Sequence, residues 1–269
     1  MRLAWLAARR PLAILGALVL LAPPAGAAGA PSRIDDAEAL RISQAAIGRT
    51  LEGLVFTTAA GERLAIEDLR GRPLVLSLVY TSCYYVCSGV TLQLRKSVSI
   101  ARDALGPGSF DVLTVGFDTQ NDTPTRMGQY ARERGVHVRD WTFASADAPT
   151  MERLTRAVGF TYQPSPKGFD HITQTTIIDA RGRVVRQVYG QEFAPPQLVE
   201  PLKRLALGKA LEAGGIESLV GRLKLICTIY DPTSGRYRFD YSLIVEIIAG
   251  LLALGIAATG IAAACRNVR

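Results

Sequence analysis

Hydrophobic and polar positions along the chain fall into blocks that predict short buried strands separated by amphipathic helices. Apolar runs rich in β-branched residues predict buried strands at 74–80, 110–118 and 141–146. Helical spacing with capping residues and closing glycines predicts helices at 35–48, 90–106, 123–135, 147–159 and 194–208. Residues 55–73 predict two short strands around Ala-Gly followed by a turn, and residues 173–190 predict a hairpin around Ala-Arg-Gly.

The order of these elements narrows the fold class. Helices that alternate with buried strands predict an α/β domain in which helices flank a largely parallel set of central strands. The closing antiparallel hairpin and helix make the central sheet mixed, and they favour a thioredoxin-like fold over residues 51–208. We expect residues 28–50 to form a helical lead-in and residues 209–241 to form a linker.

The N-terminus, residues 1–27, has the pattern of a secretory signal peptide. Basic residues precede a short apolar run at 12–22, small residues follow it, and cleavage is expected after Ala27. A retained N-terminal anchor is the alternative, but the apolar run is shorter than the roughly 20 residues needed to span a bilayer.

The other end of the chain carries a longer apolar segment. Ile247–Cys265 has no charged residue, and as a helix it would rise about 29 Å, close to the thickness of a bilayer core. We therefore expect a C-terminal transmembrane helix at 242–265 and a cytoplasmic tail at 266–269, in agreement with the positive-inside rule. A buried helix of a soluble protein is the alternative. The expected location is the bacterial inner membrane, with the main domain facing the periplasm or the exterior.

The net charge of the domain is small. The whole chain carries +7, but five arginines lie in the expected signal and tail, and Glu246 edges the expected span. The remaining 26 basic and 23 acidic side chains give +3. This balance does not favour a nucleic-acid-binding protein.

Two cysteines, Cys83 and Cys87, stand four positions apart where a predicted strand meets a predicted helix. Residues at i and i+4 share a helix face, and a helix N-terminus favours thiolate over thiol. Soft thiolates select Cu(I), whereas zinc would need a fourth ligand that the sequence does not visibly supply. A redox pair and a structural disulfide stay open as alternatives. Cys227 is interpreted as a spare thiol.

The chain has two histidines, and only one is placed to meet the cysteines. His171 lies immediately before the predicted hairpin, and in a thioredoxin-like fold the loop that enters this hairpin faces the cysteine motif. His137 lies in a turn on the other side of the pattern and is interpreted as a surface residue. Asp118 and Asp170 could orient His171 or meet a partner, and a loop or capping role for Asp118 is equally open.

Three short segments stand in order along the chain: TSCYYVCS at 81–88, FDTQNDTP at 117–124 and DH at 170–171. They resemble the segments T-x-C-P-x-x-C-P, V-D-P-x-x-D-T-P and D-H of the Sco/SenC family of membrane-anchored, copper-binding, thioredoxin-like proteins. The departures are Tyr84 and Ser88, which replace both prolines of the cysteine motif, and Thr119, which replaces the proline of the second segment.

The resemblance implies that Cys83, Cys87 and His171 bind copper as Cu(I), with Cu(II) left open. It implies a metallochaperone, a binding protein rather than a turnover enzyme, that helps to assemble the binuclear copper centre of cytochrome c oxidase. The implied partner is the copper-bearing subunit of the oxidase or another exported copper protein. An extracytoplasmic thiol–disulfide oxidoreductase that reduces client cysteines through Cys83 and Cys87 is the alternative.

Overall fold

The structure, a computed structural model, describes residues 34–83, 86–166, 168–213 and 225–267. Its main element is a seven-stranded sheet with the strand order β2-β1-β5-β4-β3-β8-β9. The strands are β1 (Val55–Thr58), β2 (Arg63–Ala65), β3 (Leu74–Val79), β4 (Asp111–Gly116), β5 (Trp141–Ser145), β6 (Tyr162–Ser165), β7 (Gly168–His171), β8 (Gln174–Ile178), β9 (Val184–Tyr189), β10 (Thr228–Asp231) and β11 (Arg236–Phe239). The expected signal peptide at 1–27 lies outside the described residues.

The sheet is mixed, as the sequence predicts. Strand β4 runs parallel to both β3 and β5, whereas β8 pairs antiparallel with β3. Every residue of β3 and β4 is buried, because layers of chain cover both faces of these central strands. The predicted thioredoxin-like α/β fold is therefore confirmed.

Helices flank the sheet close to their predicted positions. They are α1 (Asp36–Gln44), α2 (Val86–Leu105), α3 (Pro124–Glu133), α4 (Ala148–Val158), α5 (Pro195–Ala213) and α6 (Ser242–Asn267). Asp35, Thr123 and Asp147 cap three of them, because each side chain accepts a hydrogen bond from a backbone N–H of the first turn. Gly159 ends α4 in the left-handed conformation.

Two short hairpins were not predicted from the sequence. Strands β6 and β7 pair with each other between α4 and β8, and strands β10 and β11 pair within the expected linker at 209–241. Strands β6, β7 and β10 lack a regular alternation of buried and exposed residues, and β11 alternates only between half-buried and exposed residues over four positions, which is a weak signal.

The expected C-terminal transmembrane helix is not supported, and that prediction is corrected here. Among the described residues, no helix is both long enough and apolar enough to cross a membrane. Helix α6 covers the expected region.

Candidate metal centre

The two cysteines lie at the junction between β3 and α2. Cys83 sits in the connecting loop and Cys87 in the first turn of α2, as predicted. The backbone N–H of Cys87 donates a hydrogen bond to Cys83 Sγ at 3.3 Å. Cys83 is 8% exposed and Cys87 only 2% exposed. The first turn of the helix therefore directs its free N–H groups at the sulfur of Cys83.

The environment of the pair favours a thiolate on Cys83 and a thiol on Cys87. A hydrogen bond from the Cys87 thiol, helped by backbone N–H groups, lowers the pKa of Cys83 to about 5. The same hydrogen bond, together with burial, raises the pKa of Cys87 above its ordinary value. At neutral pH the outer sulfur is thus the nucleophile and the soft metal ligand, and the inner sulfur holds the proton.

Tyr80 connects the cysteine loop to the β6–β7 hairpin. Burial and a hydrogen bond to Cys83 raise the pKa of Tyr80 to about 12, so its hydroxyl keeps a proton to donate to the thiolate. The backbone N–H of Phe169 donates to the same hydroxyl oxygen. One buried phenol therefore binds both the cysteine loop and strand β7.

His171 is the last residue of β7, and aromatic rings surround it. Its ring centroid lies 6.1 Å from that of Tyr80, 5.4 Å from that of Phe117 and 5.4 Å from that of Phe160. Its Nδ1 lies 3.0 Å from the carbonyl oxygen of Ile172. In the tautomer with the proton on Nδ1, this nitrogen donates to the carbonyl and Nε2 is the atom left to bind a metal.

A cleft of about 170 Å³ joins Cys83 and His171. Its lining residues are Ile34, Asp36, Tyr80, Cys83, Val86, Phe169, Asp170 and His171. The structure thus brings three of the predicted site residues to one cleft, whereas Cys87 and Asp118 do not line it. Within the described part of the chain, no group of three or more His, Cys, Asp and Glu side chains is close enough to hold a metal ion.

Asp118 has a local partner in this structure. Its side chain accepts a hydrogen bond from Asn121 Nδ2 at 2.8 Å, within the turn that precedes α3. This contact corresponds to the loop role that the sequence left open, and Asp118 therefore supports the turn rather than the cleft.

Asp122 is a site residue that sequence reasoning missed. Its carboxylate is buried and accepts hydrogen bonds from the N–H of Thr81 at 2.8 Å and the N–H of Asp118 at 2.9 Å. It therefore joins the cysteine loop to the turn after β4. Burial raises the pKa of Asp122, and the two N–H donors oppose that shift by stabilising the charged form.

Gly168 was also missed, and its role is visible only in three dimensions. Its φ of 116° is strained for any residue with a side chain, and a Cβ there would lie 2.8 Å from the hydroxyl oxygen of Tyr80. Glycine therefore lets the β6–β7 turn approach Tyr80 closely enough to place His171 over the cysteine loop.

A second group of side chains supports α2 behind Cys87. The hydroxyl of Tyr130 donates to the carbonyl of Cys87 at 2.9 Å and lies 2.8 Å from Thr91 Oγ1. Arg134 lies over the Tyr130 ring and donates to Ser88 Oγ at 2.7 Å. Ser88, which stands where the family has proline, is thus held by a hydrogen bond that proline could not accept.

The remaining candidates lie away from the cleft. His137 is exposed, as predicted. Cys227 is a buried free thiol, and its carbonyl accepts from the N–H of Asp240 at 2.6 Å. Neither residue lines the cleft that contains Cys83 and His171.

Comparison with solved structures places the fold among Sco proteins. A SCO1/SenC family lipoprotein from Bacillus anthracis is 21% identical with a TM-score of 0.53, covering 59% of this chain and 96% of its own. Arabidopsis thaliana ScoI, solved with copper bound, is 16% identical with a TM-score of 0.50, covering 58% and 95%. BsSco is 15% identical with a TM-score of 0.53, covering 59% and 94%. BsSco is described as a member of the Sco family of cytochrome c oxidase assembly proteins, and a disulfide switch was identified in it.

Sequence comparison gives the family directly. No curated protein matches the chain. The sequence profile of the SCO1/SenC family, however, matches residues 46–207, which include the sheet, the cysteine loop and His171. The chain belongs to the SCO1/SenC family.

Proposed function

We propose that this protein binds copper through Cys83, Cys87 and His171 and passes it to a copper protein outside the cytoplasm. The observation that carries the proposal is the cleft that Cys83 and His171 share, with the thiolate form of Cys83 favoured at neutral pH. The proposed client is the copper-bearing subunit of cytochrome c oxidase. Assembly of this oxidase is the role associated with the family to which the chain belongs. The proposed location of the domain outside the cytoplasm rests on the N-terminal signal pattern.

Copper fits the donor set. Two sulfurs and one imidazole form a soft, low-coordinate set that suits Cu(I) better than it suits a hard cation. Cys83 would supply its thiolate, Cys87 would lose its thiol proton on binding, and His171 would use Nε2. When bound, copper is the cargo that the protein carries and releases.

The surrounding residues have supporting tasks. Tyr80 and the Cys87 N–H stabilise negative charge on the Cys83 sulfur, which keeps this ligand ready to bind. Phe117 and Phe160 pack on the imidazole and limit its rotation. Asp170 adds a carboxylate to the lining of the cleft, and we propose that it helps to meet the partner. Asp118 is proposed to act through the turn that it stabilises.

The test is a titration of the reduced full-length chain with Cu(I), without oxygen and against a competing chelator. We expect one tightly bound copper per chain. Cys83→Ser and His171→Ala should each weaken binding by at least about tenfold, since even residues that only support metal ligands are worth 10–100-fold.

His137→Ala is the matched control, because it removes an exposed imidazole far from the cleft, and it should bind copper like the parent. If the parent binds no copper, or if His171→Ala binds as tightly as His137→Ala, the proposal fails.

A second function, reduction of a client disulfide, is supported by the different pKa values of the two cysteines. The Cys83 thiolate would attack the client disulfide and form a mixed disulfide, releasing one client thiolate. Cys87, after giving up its proton, would then attack Cys83 and release the second client thiolate. The client gains two electrons, and the protein ends with a Cys83–Cys87 disulfide.

The alkylation rate of the reduced, copper-free chain tests this second function. Iodoacetamide should modify Cys83 before Cys87, with the rate rising through about pH 5 as the Cys83 thiol ionises. Oxidised client peptide should then convert the parent, but not Cys87→Ser, to an intramolecular disulfide. Equal alkylation of both thiols, with a rate that rises only near pH 8–9, would count against this function.

A further inference from the structure

A second concave surface lies on the outer face of α2, away from the cysteine cleft. This groove, which we call the α2 groove, has a volume of about 880 Å³ and runs between α2 and the turn of the β10–β11 hairpin. Helix α2 contributes residues from Leu92 to Asp103, and the hairpin contributes Ser234, Gly235 and Arg236. The hairpin that completes the groove is one that the sequence did not predict.

The lining of the α2 groove is strongly basic. Arg95, Lys96, Arg102 and Arg236 face a single lining carboxylate, that of Asp103. Among the described residues, none of these four cations forms a salt bridge. Four like charges along one groove repel each other. Binding of an anionic ligand would relieve this repulsion and is therefore favoured.

Two of the arginines are held in place by backbone carbonyl groups. Arg95 Nη1 donates to the carbonyl oxygen of Arg134 at 2.8 Å. Arg102 Nη2 donates to the carbonyl oxygen of Asp140 at 3.3 Å, and its guanidinium lies over the ring of Phe110. The Nε of Arg102 is buried and has no hydrogen-bond partner within the described part of the chain. These carbonyl contacts orient both guanidinium groups. The charge of Arg95 has no carboxylate partner among the described residues, whereas the nearby carboxylates of Asp140 and Asp111 partly offset the charge of Arg102.

The α2 groove also offers apolar surface along its length. Leu92 is 43% exposed and Val138 is 36% exposed, and both line it. From Leu92 to Asp103 the helix rises about 16 Å at about 1.5 Å per residue. An extended peptide covers that distance with about five residues, whereas a single phosphate group would meet only part of the basic lining. The length and the mixture of cations with apolar side chains therefore favour a polypeptide.

We propose that the α2 groove docks an acidic segment of a protein partner, in which apolar side chains are interspersed among the carboxylates. Arginine forks suit carboxylates, and Leu92 and Val138 supply the apolar contacts. The groove begins about 7.5 Å along α2 from Cys87, at about 1.5 Å per residue. The inference rests on charge and shape and does not require that copper binds.

The test measures binding of a fluorescent 12-residue peptide of repeated Glu-Glu-Leu triplets to the full-length chain. A Gln-Gln-Leu peptide of the same length is the neutral control. We expect the acidic peptide to bind and to weaken as salt is raised, because salt screens charge pairs, and the neutral peptide to bind far more weakly.

The decisive variant is the double charge reversal Lys96→Glu with Arg236→Glu. Both side chains are exposed, so the fold should tolerate the change, and the melting temperature checks this. Peptide affinity should fall about tenfold or more, since two attractions become repulsions. Arg63→Glu with Arg132→Glu makes the same change in net charge at exposed sites outside the groove, and it should change affinity by less than about twofold.

Other outcomes overturn the proposal. If both double variants weaken the peptide equally, net charge rather than the α2 groove is responsible. If the neutral peptide binds as tightly as the acidic one, the arginines do not select the ligand. If vesicles of phosphatidylglycerol bind the parent and lose binding in Lys96→Glu with Arg236→Glu, while the acidic peptide does not bind, the groove serves a lipid surface instead. Copper stoichiometry should be the same in all variants.

Discussion

The two hairpins that escaped sequence prediction, β6–β7 and β10–β11, differ in how they are attached to the domain. The β6–β7 hairpin is packed through rings: Phe169 and Tyr162 both contact Phe117, with centroids 5.3 Å and 4.8 Å away. The β10–β11 hairpin is attached mainly through polar contacts. Tyr237 donates to Glu200 Oε1 at 2.9 Å, and Lys203 Nζ donates to the carbonyl of Thr228 at 2.5 Å.

The difference matches what each hairpin has to hold. The first fixes one imidazole, and buried aromatic packing is suited to that because it allows few rotamers. The β10–β11 hairpin completes a charged groove, and hydrogen bonds attach it to the domain while half of its side chains stay exposed to water. Aromatic packing thus fixes His171, whereas polar contacts hold the hairpin that forms one wall of the α2 groove. Four predictions test this contrast, in order of decreasing effect.

Removing the ring at the centre of the β6–β7 attachment should cause the largest loss of stability. Phe117 is 1% exposed and contacts five aromatic rings, those of Tyr80, Phe160, Tyr162, Phe169 and His171. Phe117→Ala should lower the free energy of unfolding by about 3–5 kcal/mol, because it leaves a cavity. Urea unfolding measures the loss. Phe239→Ala in β11, which removes a half-buried ring, should cost only about 1 kcal/mol, and equal losses would remove the contrast.

Substituting one glycine in each hairpin turn distinguishes the cost of backbone strain from the cost of a steric clash. Gly168→Ala and Gly235→Ala both place a side chain at positive φ, 116° and 65° respectively. Only at Gly168 would the new Cβ meet a neighbour, the hydroxyl of Tyr80, and nothing lies within 4 Å at Gly235. We expect a loss of about 1 kcal/mol for Gly235→Ala and roughly 2–3 kcal/mol for Gly168→Ala, measured by urea unfolding. The difference should become smaller in a Tyr80→Phe background but not vanish, because ring carbons of residue 80 would still lie 3.0 and 3.2 Å from the new Cβ.

Removing one hydroxyl group should weaken the polar attachment of the β10–β11 hairpin. Tyr237→Phe removes the donor to Glu200 and should cost about 1 kcal/mol. Thermal unfolding measures the effect, and peptide binding to the α2 groove should weaken with it because the hairpin forms one wall. Tyr241→Phe is the control, since Tyr241 is 66% exposed. Were the two variants equally stable, the hydrogen bond would not hold the hairpin.

Acid should loosen the second hairpin by a small amount. Hydrogen bonds from Thr233 and Ser234 lower the pKa of Asp231 to about 2. Because the folded pKa lies below the unfolded value of about 3.9, this carboxylate stabilises the hairpin above about pH 4, and the stabilisation disappears as pH falls through about 2. Amide hydrogen exchange of β10–β11 between pH 5 and pH 2 should reveal the change. In Asp231→Asn, protection relative to the exchange rate of an unfolded chain should stay constant over this range, and an unchanged pH dependence of protection would assign the effect to another group.

The sequence predicted the sheet, the helices and the junction at the cysteines, because each depends on local patterns. The spacing of Cys83 and Cys87 and the run of β3 fix both sulfurs near the first turn of α2, whatever the rest of the chain does. Capping by Thr123 and Asp147 is equally local. The transmembrane prediction for 242–265 was wrong, although it too rested on a local property, the absence of charge.

Only the tertiary structure decided how distant segments support the site. Asp122 bonds to Thr81, 41 positions away, and nothing in its neighbours predicts a buried carboxylate under the cysteine loop. Gly168 is needed because of Tyr80, and Arg236 becomes part of a basic groove because a hairpin folds beside α2. The physical reason is the same in each case: local patterns record which face of an element is buried, whereas side-chain contacts between elements depend on the packing of the whole domain.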